Sequence, residues 1–153
     1  MSVEPETWDK VVLLRETLSS PFQVEIKTGG LRFLADQSAT VGGSGAAPDP
    51  YDLLCAAVGA CTSMTVRLHA DRHRWLLHRV KVSVAHLPVA PDGRESFHQT
   101  IALDGDLTAT QQEHLLVIAR LSPVLLALGC GCKIQTALGV VGEHREEARD
   151  GRG

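Results

Sequence analysis

The chain is expected to fold as α+β, with antiparallel strands gathered on two principal helices. Three observations lead there. Alternating, strand-like runs fall into two clusters; the runs in each cluster are joined by turn signals rather than by helices; and the two best helix starts follow the clusters instead of separating single strands. The expected order is β-β-β-α-β-β-α-α-β, and this segregation separates α+β from a doubly wound α/β sheet. A length of 153 residues suits one domain, 1–153, with an ordered core over about 10–140 and looser ends.

Residues 1–9 are polar and expected to be loose, and "VVLLRETL" (11–18) is a first strand. "FQVEIK" (22–27) and "LRFLAD" (31–36) flank Thr28-Gly29-Gly30, which signals a hairpin. "TVGGSGAAPDP" (40–50) is a connector rich in Gly, Ala and Pro. The strongest helix start follows. Asp49 suits an N-cap, Pro50 the first helical position, and Asp52 lies three residues after the cap, where an acid favours the helix dipole. The helix should run from Tyr51 to about Arg74, near 36 Å at about 1.5 Å per residue. Its first half, "LLCAAVGAC", is apolar all round and must be surrounded by protein. "HRVKVSVAH" (78–86) and "FHQTIALDG" (97–105) alternate as half-buried strands around a turn at 87–96. Thr108 and Gln111 form a capping box for a helix over about 109–121. Ser122-Pro123 stops it and can cap a short third helix, 123–128. "CKIQTAL" (132–138) reads as a last strand, and "GEHREEARDGRG" (142–153) as a charged, solvated tail. A long apolar helix is hard to enclose with so few residues, so a second subunit is expected to supply the cover.

The bulk composition excludes more than it assigns. A formal charge of −3 gives no basic face for nucleic acid. No apolar run reaches membrane-span length and the N-terminus lacks a signal pattern, so a cytoplasmic protein with no membrane partner is expected. The core must come from Leu, Val, Ala and Ile, because the chain has only three Phe, two Trp and one Tyr. The four cysteines, Cys55, Cys61, Cys130 and Cys132, are expected to be reduced at rest in that compartment. They form no CxxC pair, and no histidine pair stands at finger spacing. His69 and His73 stand at i and i+4, a spacing that can bind metal, but there is no HExxH glutamate and no third ligand nearby in sequence. A solvated helix face is the plainer reading, and neither a metal nor another cofactor is expected.

Cys61 sits in the middle of the long helix. Buried there as a small hydrophobe it would be inert; to react it needs a cation beside it and access for a small substrate. Arg15 and Arg32 on the N-terminal strands are the candidates. Arg67, six residues further along, faces elsewhere. Cys55 is about 9 Å along the axis from Cys61, too far for an intrahelical disulfide, and reads as a core residue. Cys130 and Cys132 in "GCGCK" read as loop and strand packing, with a ligand or a second thiol as the alternative.

The segment "GGSGAAPDPYDLLCAAVGACTSMTVRLHADRHRW" resembles the region around the first cysteine of OsmC/Ohr-like proteins, the osmotically inducible and organic hydroperoxide resistance family. "LDGDLTATQQEHLLVIARLSPVLLALGCGCKIQTAL" is similar to that family's second helix, Cys-Pro-Val motif and final strand. The resemblance spans roughly 22–138. It implies an intertwined homodimer, with sheets wrapped around two central helices and active sites at the subunit interface. It also implies a thiol peroxidase of the oxidative stress response, an antioxidant oxidoreductase acting on organic hydroperoxides. Cys61 then matches the attacking cysteine, Asp52 the acid of the "PYDLL" type, and Arg15 or Arg32 the activating arginine.

The chain departs from the pattern where the second cysteine should stand. The sequence there is Ser122-Pro123-Val124, and Leu125 occupies a position often held by histidine. A hydroxyl cannot form a disulfide, so the two-cysteine cycle is closed at Ser122. Cys130 or Cys132 could resolve the oxidised thiol, an external thiol reductant could do so, or the activity is lost. In that last case the same interface pocket would bind a small hydrophobic ligand without turnover.

Overall fold

The computed structural model describes residues 11–89 and 92–139, so the expectations for 1–9 and for the tail from 142 lie outside the described residues. The architecture is α+β. Strands β1 (Leu13–Glu16), β2 (Val24–Thr28) and β3 (Leu31–Ala35) form an antiparallel sheet in sequence order. Its register runs Leu13↔Lys27 to Glu16↔Val24 and Val24↔Ala35 to Thr28↔Leu31. The β2–β3 turn is Gly29-Gly30, with φ of 53° and 79°. Two successive positive φ values match the strand twist, and two glycines reach them without strain.

After a 3₁₀ turn at Ala39–Val41 comes α1 (Pro50–Arg72), the predicted long helix. Its start is built as expected: the Asp52 N–H donates to Asp49 Oδ1 at 2.9 Å, and the Asp49 N–H donates to Asp52 Oδ2 at 3.2 Å. A long hairpin follows, β4 (Leu76–Leu87) with β5 (Ser96–Asp106). The pairing slips between Leu77 and Arg79, and this bulge changes which face the strand presents inward. Leu77 is buried before it; Val80, Val82, Val84 and His86 point inward after it. Gly105 lies opposite, where a Cβ would collide with the Leu76 carbonyl oxygen. Then α2 (Ala109–Arg120) starts on the Thr108/Gln111 capping box, and α3 (Pro123–Cys130) on Ser122 and Pro123.

The core forms where α1, α2 and the hairpin meet: Val66, Ala70, Leu77, Leu115 and Ala119, flanked by Trp75, Val80, Ile101, Leu103 and Leu107. Val58, Thr62, Val66 and Ala70 recur every fourth residue and make the buried stripe of α1. The N-terminal sheet, by contrast, has only sparse contacts with the helices.

Three expectations are corrected. No strand forms at 132–138; the chain from 131 to 139 is irregular, and Ile134 and Leu138 are exposed. Alternation alone cannot make a strand, because its backbone N–H and C=O groups need a neighbouring edge, and this segment meets none among the described residues. Next, the first half of α1 is not surrounded: Ala56, Ala57 and Ala60 are exposed, as are Met64 and Leu68 on the following turns. Finally, α1 is long and apolar enough to cross a membrane, with mean hydropathy 1.3 over an 18-residue window of which 22% is buried. No charged residue interrupts it between Asp52 and Arg67. It nonetheless carries a buried stripe that packs on protein.

Candidate functional site: Cys61 and its surroundings

Cys61 lies in the middle of α1, partly accessible, as a free thiol. At about 100° per residue it falls beside Ala57, Met64 and Leu68, on the border of the uncovered apolar stripe. The neighbouring Thr62 points the other way, into the protein. Its Oγ1 is 3.3 Å from the Ser122 hydroxyl and donates to Gln99 Oε1 at 3.1 Å. Thr62 and Ser122 are both fully buried. With the Thr62 proton committed to Gln99, the Ser122 hydroxyl donates to Thr62, and a polar relay links α3, α1 and β5.

Ser122 therefore does more than begin a helix. Its backbone is at the N-cap of α3, but its side chain makes no capping bond. The expected hydroxyl cap is corrected: the hydroxyl turns to Thr62, the residue after Cys61. Ser122 is thus in contact with the helical turn that carries Cys61.

The other candidates are not gathered there within one chain. Asp52 is exposed and its carboxylate is folded back onto the Asp49 N–H. Arg15 and Arg32 converge on Glu25 of β2, at 3.5 Å and 3.9 Å, with Lys27 also 3.9 Å away. Both arginines therefore lie on the sheet that barely touches α1. Arg67 faces elsewhere, as expected, and donates to the Leu77 and His78 carbonyls. Cys130 and Cys132 are exposed at the far end of α3, and Cys132 Sγ lies 3.3 Å from the Ala127 carbonyl. Cys130 is eight residues beyond Ser122, about 12 Å along the helix.

Sequence reasoning missed several features. An open groove of about 370 Å³ runs between α1 and β4, lined by Cys55, Ala56, Gly59, Ala60, Ser63, Val82 and Val84. Cys55, assigned to the core, borders this groove, while Cys61 lies on nearly the opposite side of the helix. The Tyr51 ring stacks on His86 at 3.9 Å and its hydroxyl donates to Glu95 at 2.7 Å, which holds the phenol above its ordinary pKa. Asp36 is buried and collects bonds from the Ser44 hydroxyl and N–H, the Gln37 N–H and the Ser20 hydroxyl. The Ser44 bond leads in holding its carboxyl below the usual value, against a smaller opposing effect of burial. His114 of α2 stands beside His69 and His73. Spacing could not reveal such groupings, because each joins residues far apart in the chain.

The fold is shared with solved structures. One is an osmotic stress induced and detoxification response protein from Psychrobacter arcticus, with TM-score 0.63, 19% identity, and coverage of 74% of this chain and 85% of that one. Another is the organic hydroperoxide resistance protein OsmC from Legionella pneumophila, with TM-score 0.60, 18% identity, and coverage of 80% and 90%. A third is the organic hydroperoxide resistance protein OhrB of Bacillus subtilis, with TM-score 0.54, 19% identity, and coverage of 78% and 90%. No curated protein sequence matches the chain. The profile of the family described as OsmC-like protein matches residues 42–137, which take in α1, the β4–β5 hairpin, α2 and α3. That match covers Cys61, Ser122 and the elements that hold them, and the chain belongs to the OsmC-like family.

Proposed function

We propose that the protein is a thiol-dependent peroxidase that reduces organic hydroperoxides through Cys61 and works without the usual second cysteine. The observation that carries this reading is the juxtaposition of α1 and α3. Ser122, which the resemblance sets in the place of the second cysteine, is buried against Thr62, the residue that follows Cys61. The hydroperoxide resistance named for the Legionella and Bacillus neighbours supports the choice of substrate class.

In the proposed reaction the Cys61 thiolate attacks the terminal peroxide oxygen. The O–O bond breaks, the alkoxide leaves and takes a proton to become the alcohol, and the sulfur is oxidised by two electrons to the sulfenic acid. An external thiol then displaces hydroxide, released as water, to give a mixed disulfide. A second thiol equivalent frees Cys61 and leaves as the oxidised disulfide.

The activating cation comes with dimerisation. The uncovered stripe of α1 and the exposed apolar side chains Leu14, Leu31, Phe33 and Leu34 of the N-terminal sheet are surfaces that a homodimer would cover. Pairing them across two chains would bring Arg15 or Arg32 to a Cys61 and exclude water from the thiolate. The proposed site of action is the cytoplasm, where a resting thiol stays reduced.

Consumption of cumene hydroperoxide in the presence of dithiothreitol tests the reading. The protein is expected to remove peroxide well above background, and Cys61→Ser to remove none. Equal rates for the two proteins, or no rate for either, would overturn it. The exposed apolar side chains Met64 and Leu68 beside Cys61 favour a second reading, a non-catalytic protein holding a small hydrophobic ligand at the dimer interface.

A further inference from the structure

We propose that His69, His73 and His114 form a binding site for one divalent transition-metal ion of the zinc class, at the junction of α1 and α2. His69 and His73 sit one turn apart at the C-terminal end of α1, and His114 reaches them from α2. The ring centroids are 4.1 Å apart for His69–His73, 4.8 Å for His69–His114 and 6.4 Å for His73–His114. Three imidazoles bound to one ion through nitrogens at about 2.1 Å place their centroids roughly 4.5–5.5 Å apart. The His69–His114 separation lies in that range, while His69–His73 is shorter and His73–His114 longer, so the three rings are close neighbours that must adjust to share an ion.

The donor atoms are partly prepared. The His73 Nδ1–H donates to the His69 carbonyl at 2.9 Å, which fixes its tautomer and leaves Nε2 with a free lone pair. His69 Nε2 is buried without a hydrogen-bond partner, a cost that a bound cation would remove. Burial lowers the His69 pKa, with His73, His114 and Arg72 adding to the effect, which favours the uncharged ring that can ligate. The end of α1 also presents the negative pole of the helix to a cation, while Arg72 opposes it.

Among the described residues the rings stack and no three donor groups yet converge on a common point. His73 and His114 are exposed, and metal binding calls for their rings to reorient beside Trp75, whose centroid lies 5.1 Å and 5.5 Å from theirs. Three neutral imidazoles with a water as fourth ligand suit zinc(II), copper(II) or nickel(II), and exclude magnesium or calcium, which want oxygen.

Equilibrium dialysis of the full chain against zinc(II), with cobalt(II) absorption as a report on ligand type, tests the proposal. One equivalent of zinc should be retained, with a cobalt(II) spectrum free of thiolate charge transfer. His114→Ala and His69→Gln should each weaken zinc binding at least about 10-fold, while the Cys130→Ser/Cys132→Ser double variant binds as the parent does. His114 is exposed, so its variant should keep the far-ultraviolet circular dichroism of the parent, separating loss of a ligand from loss of fold. No retained zinc, unchanged affinity in His114→Ala, or loss of binding in the cysteine variant would each overturn the site.

Discussion

Ser122 ties the start of α3 to α1 and β5. Its hydroxyl fills buried space beside Thr62 and completes a relay to Gln99. Truncating it in Ser122→Ala leaves the Thr62 oxygen with one partner fewer and is expected to cost about 1 kcal/mol in urea unfolding. An unchanged midpoint would mean the relay contributes nothing. Ser122→Cys puts a sulfur against the turn that carries Cys61. Peroxide treatment of that variant should join Cys61 to the introduced thiol in a disulfide detectable by mass spectrometry of the digest, whereas the parent forms none at that position. Failure to form it would show that the two positions are not within bridging distance. The identity of Ser122 was legible in the sequence through the Ser-Pro-Val segment. The direction of its hydroxyl was not, because the competing partner, Thr62, is 60 residues away in the chain.

At the scale of elements, local chemistry was the reliable guide. The Gly-Gly turn, the Asp49-Pro50-x-Asp52 start and the Thr108/Gln111 box all act within four residues, and each forms where the sequence places it. Asp49→Ala removes the cap of α1 and should lower stability by about 1 kcal/mol, read from the urea midpoint. What sequence could not supply was a partner edge for 132–138 or the phase change at the β4 bulge, since both depend on what lies opposite in space. The clasp around Asp36 is another such contact, joining the end of β3 to Ser20 and to the turn at Ser44. Its hydrogen bonds hold the carboxyl below its ordinary 3.8. The unfolded chain therefore takes up the proton first, and the stabilisation, present above about 3.8, is lost as pH falls through the lower folded value. Asp36→Asn should flatten the acid limb of a Tm–pH profile below about pH 4; an unchanged limb would place acid sensitivity elsewhere.

At the scale of the molecule, one chain leaves too much apolar surface in water. Met64, at 70% exposure, and Leu68 border Cys61 on α1, and Ile134 stands 85% exposed in a segment that alternates like a strand without one to pair with. The proposed homodimer would cover both surfaces. Sedimentation at micromolar concentration should give a mass near twice 16.4 kDa, and a monomer would remove the proposed source of the activating arginine. It would also leave the apolar stripe of α1 without its proposed cover. The central claim is that the Cys61 sulfur accepts the peroxide oxygen inside that assembly. Treating the purified protein with one equivalent of cumene hydroperoxide in the presence of dimedone, then locating the adduct by peptide mass spectrometry, tests it most directly. The account predicts the label on Cys61; label on Cys55, Cys130 or Cys132 with Cys61 unmodified, or no label at all, would contradict it.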